Sequence, residues 1–273
     1  MLQKILILIP ITLSFFSLLV LSAFSDEIRL HVPILKDSPQ LHLYFHELLE
    51  KAIKETGHTP KLIPYILPQL RIKDYLDNGK ISIYWLVETA ERNKKYIPVG
   101  GGITNRLIGK RILFIKKGDQ HLYDNVKTLD DFRKLNLVGG MGKKWIDAKV
   151  WKANNLKYIE HNGIWRSIFL MIPAGRVYNY FSRGINEIID ESKQYPDLDI
   201  EKRLIFIYDR DFRFYLSKTG ENAGQKYKKV LKLALKNAKK NGIIEDLIIK
   251  YWGNDFKTLN YDTRIKIPLI TPK

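Results

Sequence analysis

Apolar residues recur along this chain in short blocks with two different spacings. "IRLHVPIL" and "ISIYWLV" are continuous apolar runs of strand length, whereas "LHLYFHELLEKAIKETG" repeats its apolar residues at helical spacing and closes at Gly57. The first spacing indicates buried strands and the second an amphipathic helix. The alternation of the two predicts an α/β protein in which mostly parallel sheets are flanked by helices.

The alternation occurs twice, and a long extended segment follows each occurrence. "NRLIGKRILFIKKGD" follows the first group of predicted elements, and "RLIFIYDRDFRFYLSK" follows the second. We expect these two segments to cross between two lobes, with the second lobe inserted into the first. The predicted boundaries are 26–112 and 214–273 for the first lobe and 113–213 for the second.

The N-terminal segment is strongly apolar. Lys4 precedes an apolar run over residues 5–21, and the small residues Ala23 and Ser25 follow before Asp26. This order is typical of a secretory signal peptide, here residues 1–25, that is cleaved before Asp26. An uncleaved membrane anchor is the alternative, because the run is near the roughly 17 residues that cross a bilayer.

The chain contains no cysteine. It therefore has neither a disulfide nor a cysteine for lipid attachment after the signal. We expect a protein that is free in the periplasm, without a lipid anchor, and that is stabilised by its core.

The formal net charge of +17 would suit a nucleic-acid partner in another context. Export makes that partner unsuitable, and we expect no nucleic acid to bind. Much of the positive charge lies in "QKYKKVLKLALKNAKKNG", where lysines occupy one side of a predicted amphipathic helix. A solvated lysine face is the interpretation we favour there, and a face that binds membrane or nucleic acid is the alternative.

Ligands of open parallel sheets bind beyond the carboxyl ends of the strands. One such end is "LVGGMGKKWIDAK", whose glycines Gly140 and Gly142 fit neither the P-loop nor the dinucleotide-binding pattern. A tight turn of this kind can offer backbone N–H groups to an anion, or it can simply join a strand to a helix. Other predicted strand ends carry aromatic and cationic side chains that could stack on a ligand or bind its acidic group, namely Trp85, Trp145, Tyr178, Tyr180 and Arg183.

Motifs for catalysis or metal binding are weak. "SKTG" contains the Lys-Thr-Gly triplet of penicillin-recognising enzymes, but no serine has a lysine three residues later. His42 and His46 lie one helical turn apart without an evident third ligand, so we expect no metal site. Glu187 and Glu191 share the same spacing, and a solvated helix face is the favoured interpretation over an acid/base pair.

The order of these motifs resembles the type II periplasmic solute-binding proteins, the superfamily of bacterial extracellular solute-binding protein family 3, which serves amino-acid importers. "ETAERNKKYIPV" looks like the Thr-x-x-Arg segment of that family, and "TLDDFRKLNLVGGMG" resembles the start of its second lobe. "GGMGKKWIDAKVW" and "YFSRGINEIIDE" look like a divergent, mostly uncharacterised branch. The resemblance covers essentially the whole chain after the signal.

The resemblance implies a two-lobed fold whose lobes close on a ligand at a hinge formed by the two crossover segments. It implies that Arg92 clamps a ligand carboxylate. Tyr178 stands where many amino-acid binders carry an aspartate for the ligand ammonium, which argues against an ordinary α-amino acid as the ligand.

We therefore expect a non-catalytic periplasmic receptor that captures a small polar solute, anionic or zwitterionic and amino-acid-like, for an ABC-type importer. Arg92 and Arg183 would bind its acidic group, Trp85 and Trp145 would stack on it, and Arg71 and Glu187 would support the site. We expect a monomer without a cofactor or metal. The alternatives are an enzyme on the same scaffold, similar to relatives that dehydrate cyclic acids, and a ligand-sensing partner of a membrane receptor.

Overall fold

The computed structural model describes residues 26–36 and 40–272, apart from the side chain of Leu70. The predicted signal peptide, residues 1–25, lies outside the described residues. Among the helices in the described part, none has the length and apolar character needed to cross a bilayer.

The elements follow the predicted alternation of strands and helices. The strands are β1 (Glu27–Leu35), β2 (Thr59–Leu67), β3 (Ile83–Val87), β4 (Ile97–Val99), β5 (Lys110–Lys116), β6 (Gly139–Gly142), β7 (Tyr158–His161), β8 (Tyr180–Gly184), β9 (Leu198–Ile200), β10 (Leu204–Ile207), β11 (Phe212–Leu216) and β12 (Ile265–Pro268). The helices are α1 (Leu43–Lys54), α2 (Gln69–Asp77), α3 (Ala90–Lys95), α4 (Leu129–Lys134), α5 (Ile146–Ala153), α6 (Ile168–Met171), α7 (Ile188–Gln194), α8 (Lys228–Lys240) and α9 (Ile243–Thr258).

The first group of strands contains β1 to β4 and β11. β1 pairs in parallel with β2, and β11 lies antiparallel between β3 and β4. The backbone N–H of Ser82, just before β3, donates to the carbonyl of His31 in β1 at 2.7 Å, so the two pieces lie side by side in the order β2-β1-β3-β11-β4. Helix α1 packs against α8 and α9 and buries Tyr44, Phe45 and Leu48.

The second group forms a seven-stranded sheet in the order β12-β10-β5-β8-β6-β7, with β9 also paired to β5. β6 lies parallel to both β7 and β8, so the carboxyl ends of these three strands meet at one edge of the sheet. β5 runs antiparallel to β8 and β10. The edge where β6, β7 and β8 end is the place where a ligand of a parallel sheet is expected.

The chain passes between the two groups at the two predicted crossovers, between β4 and β5 and between β10 and β11. It passes a third time between α9 and β12. β12 lies in the segment predicted for the first lobe, yet it pairs in parallel with β10 of the larger sheet. The buried side chain of Arg264 holds this junction by donating to the carbonyl oxygens of Glu201 and Leu204 at 2.7 and 2.9 Å.

β8 begins later than the pattern "RVYNYF" indicates, at Tyr180. The backbone of Val177 has a φ of 58° and that of Gly175 a φ of 65°, so this segment turns and cannot extend a strand. Valine favours strands, and a β-branched residue rarely adopts the left-handed conformation. The sequence of this segment therefore predicted a strand. Tyr178 therefore precedes the strand.

Candidate functional site

The turn after β6 is formed by Lys143 and Lys144, because the glycines before it belong to the strand. Lys144 adopts a φ of 63°. Its backbone N–H donates to Glu160 Oε2 at 2.8 Å, and Lys143 Nζ donates to Asn162 Oδ1 at 2.9 Å. These bonds fasten the turn to the end of β7 and the loop that follows it.

Gly140 and Gly142 are glycines because side chains press directly on β6. A Cβ on Gly142 would lie 2.3 Å from the ring of Trp145, and a Cβ on Gly140 would lie 2.8 Å from Ile168 Cγ2 and 3.1 Å from the ring of Tyr178. All four residues of β6 are buried. The strand is therefore covered by aromatic rings, and ligand binding by its backbone stays a prediction.

Three aromatic rings form a cluster: Trp145 follows β6, Trp165 follows β7 and Phe181 lies within β8. The ring of Trp145 lies 5.2 Å from that of Trp165 and stacks on Phe181 at 5.9 Å. The guanidinium carbon of Arg183, near the end of β8, lies 5.2 Å from the Trp145 ring centre and 4.7 Å from that of Trp165. The structure thus brings together Gly142, Trp145 and Arg183, three of the predicted ligand residues, and adds Trp165 to them; ligand binding by them stays a prediction.

Arg183 is bound by carboxylates of the protein itself. Its Nε and Nη2 donate to the two oxygens of Glu191 at 2.7 and 2.6 Å, and Nη2 also lies 3.2 Å from Glu187 Oε2. Such a two-pronged pair uses the planar fork of the guanidinium, which a ligand carboxylate would otherwise engage. The predicted role of Arg183 as a ligand anchor therefore competes with two internal partners.

The network continues to a second buried arginine. Arg111 Nη2 lies 2.9 Å from Asp147 Oδ1, and Arg111 Nη1 lies 3.6 Å from Glu187. The hydroxyl of Tyr208 donates to the same Asp147 oxygen at 2.8 Å. Glu187 thus bridges two guanidinium groups, and its support of a ligand site stays a prediction.

The pKa values of Glu187 and Glu191 shift in opposite directions. Burial disfavours the charged form of Glu187, but Arg183 and Arg111 outweigh it and hold the pKa of Glu187 below its ordinary value. Burial raises the pKa of Glu191 above its ordinary value despite the pairing with Arg183. Three carboxylates surround Arg183 and Arg111, and the guanidinium carbon of Arg166 lies 4.4 Å from the centre of the Trp165 ring, so the formal charges of the cluster balance.

Arg92 lies in the other group of strands and is only half-buried. Its backbone N–H donates to Thr89 Oγ1 at 3.2 Å, which begins helix α3, and its Nη1 donates to the carbonyl of Val87 at the end of β3. Burial lowers the pKa of Arg92, an effect that Tyr215 and Tyr84 partly offset. Within residues 26–36 and 40–272, no carboxylate lies within ion-pair distance of Arg92.

Trp85, the other aromatic predicted for this lobe, is 3% exposed. Its ring stacks on Phe45 of α1 at 4.2 Å with an interplanar angle of 9°. The structure places Trp85 in the core of the first group of strands, and its predicted stacking on a ligand stays a prediction.

Tyr178 and Tyr180 are both buried, on different sides of the second sheet. Tyr180 accepts a hydrogen bond from Trp151 Nε1 at 2.8 Å within the second apolar core. Tyr178 packs with the first core, and its hydroxyl lies 3.0 Å from His161 Nδ1, while His161 Nε2 lies 2.6 Å from Ser167 Oγ. Tyr178 therefore precedes β8 at its amino end, and only its hydroxyl reaches the last residue of β7, whereas Tyr180 is packed in the second core.

The predicted supporting residue Arg71 is exposed on α2. Its neighbour Gln69 accepts a hydrogen bond from Trp165 Nε1 at 3.0 Å, and this bond joins α2 of the first group to the segment after β7 of the second. Among the described residues, no group of three or more His, Asp or Glu side chains is arranged to hold a metal ion.

The sequence reasoning missed Arg111, Asp147, Glu191 as a partner of Arg183, and Trp165. Arg111 gave a usable signal, because it stands alone in the apolar run "RILFI" and a buried arginine needs a carboxylate. Asp147 gave a weaker one, as an acidic residue two positions after Trp145 at a helix start. Nothing local in "NGIWRS" marks Trp165 as a contact between the two groups.

Comparison with known proteins supports the fold rather than a family. No family model matches the chain, and no curated protein matches it by sequence. Solved structures do match over most of its length. The probable amino-acid ABC transporter extracellular-binding protein of Bacillus subtilis has a TM-score of 0.62 at 13% identity, covering 84% of this chain and 100% of that chain.

Two ancestral proteins are similar in the same way. An ancestral arginine-binding protein bound to arginine has a TM-score of 0.55 at 17% identity, covering 84% of this chain and 99% of that chain. An ancestral amino-acid-binding protein described as a precursor of cyclohexadienyl dehydratase has a TM-score of 0.53 at 15% identity, covering 83% of this chain and 95% of that chain. The chain therefore has the two-lobed, type II periplasmic-binding-protein fold, which confirms the expected fold class.

Proposed function

We propose that this protein is a periplasmic solute-binding protein that captures a small, amino-acid-like solute between its two lobes for an ABC-type importer. The observation that carries the proposal is the fold, which aligns over 83–85% of this chain with proteins named for binding amino acids or for amino-acid transport. The third passage of the chain between the sheets, at β12, would act together with the two crossovers at the hinge.

Arg92 is the anchor that we propose for the carboxylate of the solute. It is half-buried at the carboxyl end of β3, and no carboxylate of the described part of the chain pairs with it. A desolvated guanidinium without an internal counter-ion favours an anionic group from outside.

The second-lobe cluster has little capacity for a second acidic group. Arg183 is bound to Glu191 and Glu187, so it has little capacity for a further carboxylate. Three carboxylates surround Arg183 and Arg111, and the guanidinium carbon of Arg166 lies 4.4 Å from the centre of the Trp165 ring, so the formal charges beside the rings balance. A zwitterion, with its carboxylate on Arg92 and its ammonium towards these rings and carboxylates, suits both ends better than a simple anion.

A screen by thermal unfolding tests the proposal. The protein is melted with amino acids, organic acids, phosphorylated compounds and short peptides. A true ligand at 100 times its Kd adds roughly 2.7 kcal/mol to the free energy of unfolding. We expect a zwitterionic hit that Arg92→Ala abolishes and that Arg176→Ala, which removes an exposed arginine, leaves intact. A library without any hit would contradict the proposal.

An enzyme on the same scaffold is the second candidate, because one similar structure is that of a precursor of a dehydratase. Glu187 is the acid or base that such an enzyme would use. Arg183 and Arg111 outweigh the effect of burial and hold the pKa of Glu187 below its ordinary value. Glu187 is therefore poorly suited to donate a proton at neutral pH. Recovery of a hit chemically changed after incubation would favour the enzyme, and recovery unchanged would favour the binding protein.

A further inference from the structure

Helix α8 carries a dense lysine face. Its six lysines fall within an arc of about 120° when successive residues are placed 100° apart. They are all exposed: Lys228, Lys229, Lys232, Lys236, Lys239 and Lys240. The opposite side of the helix is fixed in the protein, since Leu231, Ala234 and Ala238 are completely buried.

The six charges are uncompensated. Other lysines of the protein pair with acidic side chains, such as Lys250 with Glu47 at 2.6 Å and Lys95 with Asp77 at 2.6 Å. For the lysines of α8, no carboxylate of residues 26–36 and 40–272 lies within ion-pair distance. The helix is about 20 Å long, so it presents a compact positive surface.

A shallow recess continues the lysine face towards the first crossover. It has a volume of about 420 Å³ and an apolar floor that includes Ile103, Leu235 and Ile244. Its rim is formed by four of the lysines, Lys232, Lys236, Lys239 and Lys240. At the other border of the face, Leu233 is 50% exposed, so a few apolar atoms adjoin the charges on both sides.

We propose that the lysine face of α8 docks the protein on a negatively charged phospholipid surface. The apolar side of α8 is packed in the core and cannot insert, so the attraction is electrostatic and acts at the headgroups. Each lysine close to such a surface strengthens association by about fivefold, and the attraction fades within a Debye length. Lysines suit a laterally fluid array of phosphates, because an ammonium is a point charge without the directional fork of arginine.

The face has the wrong composition for nucleic acid. It contains neither arginine nor an aromatic side chain that could stack on a base. Docking through α8 is independent of the solute, because α8 lies outside the ends of β6, β7 and β8 where the candidate ligand residues meet. A failure of the ligand screen would therefore leave the docking proposal intact. A failure of lipid docking would likewise leave the proposed solute binding intact.

Flotation with lipid vesicles tests the proposal. The protein is expressed with its own N-terminal segment, recovered after whatever processing the cell performs, and checked for an identical N-terminus in every variant. It is mixed with vesicles of phosphatidylcholine alone or with one third phosphatidylglycerol at 50 and 300 mM salt. The test variant is Lys232→Gln/Lys236→Gln/Lys239→Gln. The control variant, Lys149→Gln/Lys152→Gln/Lys157→Gln, removes the same charge from exposed lysines of α5 and the start of β7.

We expect the wild-type protein to associate with the anionic vesicles more than with the neutral ones, and high salt to abolish the difference. The α8 variant should lose roughly a hundredfold of this anionic preference, and the control variant less than fivefold. Equal losses in both variants would assign the effect to net charge and overturn the proposal. An absent anionic preference in the wild-type protein would also overturn it. Equal melting temperatures of the three proteins exclude misfolding as the cause.

Discussion

Arg183 neutralises two buried carboxylates, so its loss should cost far more than one hydrogen bond. We expect Arg183→Met to lower the free energy of unfolding by roughly 3–5 kcal/mol, because Glu191 and Glu187 would keep their burial without their nearest cation. Urea unfolding at pH 7 measures the change. Arg176→Met, at an exposed site, should cost less than about 0.5 kcal/mol.

A double variant separates the ion pair from the packing of the side chain. Arg183→Met/Glu191→Gln removes one of the two stranded charges and should recover part of the loss. If the double variant were as unstable as the sum of the two single variants, the pairing would not be the source of the stability.

His46 should make the fold sensitive to acid. Burial, with His42 as a second cause, lowers the pKa of His46 from 6.5 to about 4. The folded protein therefore resists a proton that the unfolded chain accepts below pH 6.5. The stability from neutral His46 is present above that pH and is lost as the pH falls towards 4, by roughly 1–3 kcal/mol.

Melting temperatures between pH 7 and pH 4.5 measure this sensitivity. We expect the decrease over that interval to be smaller in His46→Gln than in the wild-type protein. His121→Gln, which changes an exposed histidine, should leave the decrease as it is. Parallel curves for His46→Gln and the wild-type protein would contradict the assignment.

At the residue scale, the sequence singled out several residues that the structure brings together, but not their partners. The spacing of Arg183, Glu187 and Glu191 places them together on local grounds. The pairing of Glu187 and Asp147 with Arg111 depends on the order of strands in the second sheet, which no local pattern encodes. That is why Arg183 looked available to a ligand in the sequence and is occupied in the structure.

Among the elements, strand β6 is the most tightly constrained by its neighbours. A methyl group at Gly142 would fall 2.3 Å from the ring of Trp145, so Gly142→Ala should displace that ring from its contacts with Phe181 and Trp165. We expect a change in near-ultraviolet circular dichroism and a loss of roughly 1–3 kcal/mol of stability.

Gly101→Ala is the matched control, because nothing lies within 4 Å of a Cβ at that position. It should leave both the spectrum and the stability nearly unchanged. A silent Gly142→Ala variant would show that Trp145 moves freely, and the aromatic cluster would then be a weaker candidate for a rigid binding surface.

Most of the elements were predictable because their spacing of apolar residues is local. The start of β8 was not, since the left-handed φ of Val177 turns the chain there and opposes the strand preference of "RVYNYF". The extent of β6 was also misjudged. Its glycines suggested a loop, whereas close-packed rings require them in a strand.

For the whole molecule, one hydrogen bond between the two groups of strands is open to a direct test. Trp165 Nε1 donates to Gln69 Oε1 at 3.0 Å. Since such a bond contributes about 0.5–1.5 kcal/mol, Gln69→Ala should shift the proposed balance between open and closed forms by roughly twofold to tenfold towards the open form. Small-angle X-ray scattering should then give a larger radius of gyration.

Gln225→Ala, at an exposed position near the start of α8, serves as the control and should leave the radius of gyration unchanged. A radius that is the same in all three proteins would mean that this bond does not hold the two groups together. The two-lobed fold itself was predictable, because the repeated alternation and the motif order together specify it. The third passage through β12 was not, since "RIKIP" is too short to reveal its partner.

That third passage bears on the order in which the protein is made. β12 is the last strand described along the chain, yet it pairs with β10 at one end of the larger sheet, and Ile267 within it is 1% exposed. During synthesis, β5 to β10 emerge first, and one edge of β10 stays unpaired until residues 265–268 have been made. The larger sheet therefore cannot be completed before this late segment emerges, so the nascent chain stays incompletely folded up to that point.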